Sequence, residues 1–502
     1  MVMKATQNPS QSRDTAILRW TLEETAELLA ARGLAEWSIY CQHKVLLTAA
    51  FDAETVIPSV HVVYGIALQT RISGASRRIQ VAALGTTAVQ TISQWLTNDL
   101  SEAESLAPYA LSEASRPTAA GLLESGKPTR HGFLEACGPA AYGLPKAGRP
   151  TADGGLAGPS SLTEQHVATV GRLVELAEAA RLDLASGDPL LRPEGRAVVI
   201  LETVATRHHE GEPRTACRDR SRLAFHVLDP RTGRRGFCGP GFPGPDAPPL
   251  PIGRRTADTA RAALCLGETP VSAPDGDVPV VFAPGVSGML LHEICGHLLE
   301  EDVAAHPGTP LRHGERVACP DLTVVDDPAD PSSWAATHVD DVGNTARPVS
   351  LVTEGTVTGS LSAELRPGGH ARRADYRFPP LPRMTTTVLH PGPHDPTVVI
   401  GDSSGGVFVH SIASAWCDPR SGRFTLHVDQ ARLIGRDGPG PPLQPFTLTG
   451  ETTATLRTID ALCGDSGHVD ARCAKQNQLV PVRTVGPTMR SNRMTSQPRP
   501  QK

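Results

Sequence analysis

Gly and Pro interrupt the second half of the chain too often for long helices to form there. Short apolar runs at 322–325, 351–353, 397–400, 407–410 and 423–428 are separated by one or the other. Runs of that length between turn residues read as strands, and several in succession predict a β-rich domain. The first half reads differently. Thr21-Leu22-Glu23-Glu24 has the form of a capping box and predicts a helix that stops at Gly33. Strand-like text follows at 37–40, 44–48 and 61–68, and 80–100 reads as another helix. Ser161-Leu162-Thr163-Glu164 is a second capping box. The helix after it puts Val167, Val170, Val174 and Ala177 on one face. Apolar strands are predicted at 197–202 and 278–283, a strand pair at 222–228 and 236–241, and a helix at 256–266. The fold class predicted is α+β: an N-terminal mixed α/β domain followed by a β-rich C-terminal domain.

At 502 residues the chain exceeds one ordinary core, so two large domains are expected. Residues 1–18 read as a disordered lead-in, 19–230 as the N-terminal domain, 231–489 as the C-terminal domain, and 490–502 as a disordered tail. A Gly-, Pro- and Ala-rich stretch at 115–160, without sustained period, reads as a long loop within the first domain. Aromatic residues make up 4% and the net charge is −5, so no stacking platform or basic footprint points to a nucleic-acid partner. No run approaches the roughly 20 apolar residues of a membrane span, and the first residues lack the apolar core of a signal peptide. A cytoplasmic location without membrane contact is expected. Ten Cys at irregular spacing fit a reducing compartment, where most are buried thiols.

The segment 286–302, VSGMLLHEICGHLLEED, is helical by its leucine spacing and follows the strand predicted at 278–283, near the expected domain junction. It holds His292-Glu293-Ile294-Cys295-Gly296-His297. Two His beside a Glu on a buried helix is the layout of a zinc hydrolase. Neutral imidazoles bind the metal, and the carboxylate takes a proton from metal-bound water. In the common H-E-x-x-H motif the two His lie four apart, about 40° around the helix. Here they lie five apart, about 140° on an ideal helix. A π-type turn or a bend, with Gly296 as its place, is needed to aim both at one ion. A third ligand is also required. Cys295 points elsewhere if both His bind, and chemistry alone leaves Cys463 and Cys473 open. Without a metal, the same residues make a buried helix with two hydrogen-bonded His and one capping Glu. Two further clusters carry less: His208-His209-Glu210 reads as a solvated loop, and Ser287 in G-V-S-G is not a G-x-S-x-G elbow.

The 290–302 text, LLHEICGHLLEED, is similar to the H-E-x-x-x-H helix of the TldD/PmbA family of metallopeptidases, once labelled modulators of DNA gyrase. Further segments match that family in order. They are 279–285 (PVVFAPG); 323–327 with Asp340-Asp341-Val342-Gly343-Asn344-Thr345; 381–385 (LPRMT); and 473–482 (CAKQNQLVPV) with Gly486-Pro487-Thr488. The match covers about 255–495 well and is weak but collinear before that.

The resemblance implies His292, His297 and Cys473 as ligands of one Zn²⁺ per chain, with Glu293 as catalytic base. It implies a peptidase acting on unfolded or extended peptides, which lie along a sheet edge and bind by β-augmentation. The family pairs an active subunit with a paralogue that has lost these residues. This chain keeps them, so it resembles the active, TldD-like subunit. The partner implied is a TldE/PmbA-like paralogue in a heterodimer, or a second copy. Arg383, Arg373 and Tyr376, in or beside a matching segment, are the expected substrate-binding residues. Some positions depart from the family. Leu298 and Glu301 enlarge two small residues after the second His, Thr386 replaces an Asn, and Ala474 and Asn477 replace glycines. Altered walls of this kind suggest a specialised substrate, with leader-peptide trimming in a modified ribosomal peptide pathway as the alternative. The remaining classes are a non-enzymatic, zinc-stabilised partner-binding scaffold and an amidohydrolase of a small non-peptide amide. A spare base favours an enzyme, because closed structural zinc sites use four ligands.

Overall fold

The computed structural model describes residues 9–72, 75–105, 133–135, 163–364 and 368–498. Apart from 133–135, the predicted 115–160 loop lies outside the described residues. Two large sheets organise the chain.

The first sheet is antiparallel and runs in the order Ala75–Val81, Val56–Ile72, Trp37–Phe51, Arg192–His208, Arg220–Asp229, Arg234–Cys238. Side chains alternate across a strand, so Trp37–Phe51 serves two masters. Its odd-numbered residues, from Trp37 to Phe51, pack under four helices: Pro9–Ala31, Thr86–Ser105, Glu164–Ala185 and Leu250–Ala262. From its other face, Gln42 accepts the Tyr376 backbone N–H and Lys44 donates to the Ala374 carbonyl. That face therefore meets the 371–378 segment of the second half.

Four expectations for this half are corrected. The helix begins at Pro9, inside the predicted lead-in. Thr21 is not its cap but an interior residue, fully buried. Its hydroxyl donates to the Ile17 carbonyl one turn back and accepts from the Gly85 N–H. The helix after residue 163 is capped by Thr163 with His166 as reciprocal partner. Its buried stripe runs through His166, Thr169, Leu173, Leu176, Ala180 and Leu184, while Val167 is 61% exposed. The first structural unit also extends past residue 230. Strands Arg234–Cys238 and Gly241–Pro243 pair into the first sheet, and Ala257 and Ala260 join its core.

Among the described residues the second sheet has 14 strands. One path runs Val324–Asp326, Thr386–Leu389, Gln478–Gly486, Gly467–Lys475, Phe133–Glu135, Val407–Cys417, Gly276–Phe282, Met489–Pro498, Phe446–Glu451 and Arg423–Gly435. Val407–Cys417 also pairs with Arg423–Gly435, so the last five strands of this path close into a ring. The apolar run at 397–400 is not a strand. Pro396–Gly401 is a short helix whose first N–H groups are capped by Asp395, with Pro in the first turn. The predicted disordered tail is also corrected. Met489–Pro498 is an interior strand between Gly276–Phe282 and Phe446–Glu451. Its polar text misleads because Ser491 and Ser496 are fully buried. Among the described residues, no helix is long and apolar enough to cross a membrane.

Candidate metal centre

Gly276–Phe282 delivers the chain to the site helix through Gly285, which has φ +81°. A Cβ there would lie 2.6 Å from the His468 main chain, so the turn needs glycine. The helix is α over Val286–Leu291, π over His292–Gly296 and 3₁₀ over His297–Leu299. Within it the His297 N–H donates to the His292 carbonyl, an i→i+5 bond that inserts one extra residue in the turn. The five-residue His spacing is absorbed in this way. The two rings stand 5.0 Å apart between centroids, at 87°. Every residue from 286 to 299 is buried, because Met289, Leu290, Ile294, Cys295, Leu298 and Leu299 are part of the second sheet's core.

Gly467–Lys475 brings Cys473 to this turn. Its Sγ lies 3.3 Å from His297 Nε2, and one ligand atom from each of His292, His297 and Cys473 lies within 4.8 Å of the other two. Among the described residues, no other His, Cys, Asp or Glu group converges in this way. The other two thiols raised by the sequence are placed elsewhere. Cys295 is in the helix core and Cys463 packs with Val281 and Val399. Burial pushes them up to about 12 and about 11. Burial opposes ionisation of Cys473 too, yet the Arg383 guanidinium and the two imidazoles hold its thiol well below the ordinary range.

Neighbours aim both rings. Thr387 Oγ1 meets His292 Nδ1 at 3.0 Å, and the Glu300 carboxylate meets His297 Nδ1 at 3.0 Å. A carboxylate acceptor fixes the proton on His297 Nδ1 and leaves the lone pair of Nε2, beside Cys473, to a metal. His292 Nε2 and both oxygens of Glu293 are buried with no hydrogen-bond partner. Burial pushes the Glu293 carboxyl up to about 8. Buried orphan donors facing a thiol fit a borderline-soft divalent ion, which would be held by His292, His297 and Cys473. Glu300 is itself held by Lys475 at 2.8 Å, and Lys475 also reaches Asp302 at 2.6 Å. Lys475 is two residues beyond Cys473, on the same face of its strand, so this pair locks strand to helix. Thr387, Glu300 and Lys475 were not singled out from sequence. Only Glu300, three residues after His297, carried a local signal.

The predicted substrate residues are not gathered here. Arg383 is fully buried and donates to the carbonyls of Cys473 (2.7 Å) and Gln478 (3.4 Å), so it braces the ligand strand. Arg373 stacks 4.2 Å over the Tyr40 ring, and Tyr376 packs beside Gly65 in the first sheet. Neither bonds to His292, Glu293, His297 or Cys473. Of the two enlarged residues, Leu298 is fully buried in the core, whereas Glu301 is half-buried and lines a cavity with Leu299, Asp302 and Pro382.

Residues 275–497 match the model of the PmbA/TldA metallopeptidase C-terminal domain. A metalloprotease TldD homolog of Haemophilus influenzae is 27% identical over 59% of this chain and 65% of its own length. A zinc metalloprotease TldD homolog of Saccharolobus solfataricus is 28% identical over 45% of this chain and 52% of its own length. The chain thus spans between half and two thirds of these relatives. The crystal structure of TldE from Thermococcus kodakarensis superposes with a TM-score of 0.67 at 14% identity, covering 94% of this chain and 100% of that one. Similarity in sequence is concentrated on the second sheet, whereas shared architecture extends over nearly the whole length. Taken together, they assign residues 275–497 to the PmbA/TldA metallopeptidase C-terminal domain and give the chain the fold of TldE over nearly its whole length.

Proposed function

We propose that the chain is a zinc-dependent peptidase of the active, TldD-like kind, hydrolysing unfolded or extended peptides with Glu293 as general base. One observation carries the reading. A carboxylate with no hydrogen-bond partner stands, fully buried, one residue from a His that converges with a second His and a Cys. A structural zinc site closes with four ligands and keeps no spare base. Two imidazoles and a thiolate suit one Zn²⁺ per chain, which when bound would supply Lewis acidity toward the scissile carbonyl and the attacking water.

The chain's own residues do the remaining work. Glu300 and Thr387 orient the imidazoles. Lys475 and Arg383 hold the strand that carries Cys473. Glu293, raised by burial, is poised near neutrality to take the proton of the attacking water and return it to the amine that leaves.

Main-chain pairing supports a peptide substrate. Phe133–Glu135 lies antiparallel between Gly467–Lys475 and Val407–Cys417, with Leu134 in register with Cys473 and Ala415. The place beside Cys473 thus takes a strand through main-chain pairing, which is compatible with an extended peptide bound through its backbone and tolerates many sequences. Leu298 is buried in the core and forms no wall, whereas Glu301 lines a cavity, so general unfolded peptides are the first reading and a specialised leader peptide is the second. The TldD relatives and the TldE fold support pairing with a paralogous subunit, or with a second copy.

The test is direct. The purified chain, with and without a paralogue, is assayed for zinc content and for cleavage of unfolded peptides. Glu293→Gln should keep its zinc and lose cleavage at least about 100-fold. Cys473→Ser should lose zinc, and Cys463→Ser should keep it. Full cleavage by Glu293→Gln would sink the mechanism, and zinc retained by Cys473→Ser but lost by Cys463→Ser would sink the ligand set.

A further inference from the structure

A cavity of about 350 Å³ lies between the two sheets. Arg472 and its register partner Pro481 line it, whereas Cys473, one residue on, faces His297. Cavity and metal centre therefore lie on opposite faces of the same hairpin.

The wall is cationic beyond its own means. It carries seven basic side chains and three acidic ones. The three acids are already engaged. Glu202 pairs with Lys44 at 2.7 Å and with Arg220 at 3.6 Å. Asp341 pairs with Arg218 at 2.5 Å and accepts the Arg373 backbone N–H. Asp375 is gripped by both arms of Arg377. Arg372 and Arg373 are left with main-chain carbonyls. Arg372 donates only to Met384, and the Arg373 guanidinium donates to Asp341 and Phe378. Arg372 is 7% exposed, and the Nε–H groups of Arg218 and Arg373 are buried without an acceptor. Burial, then the charges of Arg220 and Arg383, pulls Arg372 down to about 9. Guanidinium buried without a counter-charge is costly, and a bound anion would offset that cost.

The rest of the wall is apolar, with Leu46, Val63, Ile200, Trp334, Phe378 and Leu479. The volume falls in the range of small-molecule sites, which favour domain interfaces. We propose that this cavity binds an organic anion, a single carboxylate or phosphate group on a compact apolar body, with Arg372 as its principal charge partner. The apolar body packs on the Trp334 and Phe378 side chains. The site is independent of the peptidase reading and shares no residue with the metal centre.

Calorimetric titration of the full chain at fixed ionic strength tests this with four probes. They are N-acetylphenylalanine, its neutral amide, phenyl phosphate and inorganic phosphate. At least one of the two apolar anions should bind one per chain, tenfold or more tighter than the amide and inorganic phosphate. Which of the two binds better identifies the anionic group. Arg372→Met should weaken binding at least tenfold. Arg377→Glu, at the half-exposed rim, should weaken it at least threefold and serves if Arg372→Met does not fold. Binding should persist in a chelator and in Glu293→Gln. The proposal is overturned if neither apolar anion binds, if the variant that folds binds as the wild type does, or if binding disappears with the metal. None of these results bears on whether Glu293 is needed for cleavage.

Discussion

Replacing Lys475 with Met should cost this protein a large part of its stability. The ammonium is 1% exposed and lies 2.8 Å from Glu300, which is also 1% exposed, and 2.6 Å from Asp302. Burial works to raise the Glu300 carboxyl. Lys475 first, and His297 after it, reverse this and hold it at about 2, against an ordinary 4.5. A difference of that size corresponds to about 3 kcal/mol at neutral pH. Lys475→Met fills the same space and removes the charge, leaving a buried carboxylate with only His297. Breaking a buried pair from one side costs about 3–5 kcal/mol. Glu300→Gln removes the stranded charge, so the double variant should recover about 2 kcal/mol relative to the sum of the singles. The assay is denaturant unfolding of the four proteins, with excess chelator and again with zinc, so that metal binding is counted separately. Glu300→Gln should also weaken zinc binding about 10–100-fold through His297. A loss below about 1 kcal/mol for Lys475→Met, or strict additivity in the cycle, would refute the lock between strand and helix.

Gly296→Ala should destabilise by about 1–3 kcal/mol, because its Cβ would fall 1.7 Å from Met384 Sδ in a packed core. Met384→Ala in that background should cost less than it does alone, and equal costs in thermal melts would argue against the clash. Glu202, paired with Lys44 and Arg220, is held at about 2 despite burial, against an ordinary 4.5. A depressed carboxyl stabilises the fold above the unfolded value and loses that contribution as pH falls from about 4.5 toward about 2. The stability gap between wild type and Glu202→Gln should therefore be about 3 kcal/mol at pH 6 and shrink steadily below pH 4.5. A gap that does not change with pH in urea titrations would contradict this.

Local chemistry was legible in the sequence, and distant chemistry was not. His292, Glu293 and His297 stand within six residues, and their awkward spacing already demanded the extra residue of a π turn. Cys473 is 176 residues from His297, so no spacing rule reaches it. Only the family resemblance singled it out. Arg383 was read as substrate-facing from its place in a matched segment, but a sequence does not say which way an arginine points. The 397–400 run shows the limit of short apolar stretches, which suit a strand or a buried helical turn equally. Asp395-Pro396 just before it was the deciding signal, a cap followed by a first-turn proline. Met489–Pro498 looked unstructured because interior serines replace the branched residues expected of a central strand.

That last strand has a consequence for biosynthesis. Gly276–Phe282, which leads directly into the metal-site helix, is flanked in its sheet by Val407–Cys417 and by Met489–Pro498. During vectorial synthesis the first sheet can complete its ladder early, from residues all N-terminal to 245. The second must hold its helix in waiting for some two hundred residues before the neighbouring strand arrives. Such non-local pairing is slow to form and exposes apolar surface meanwhile. The cluster of His292, His297 and Cys473 would therefore be assembled among the last events of folding, since Cys473 itself is also synthesised late.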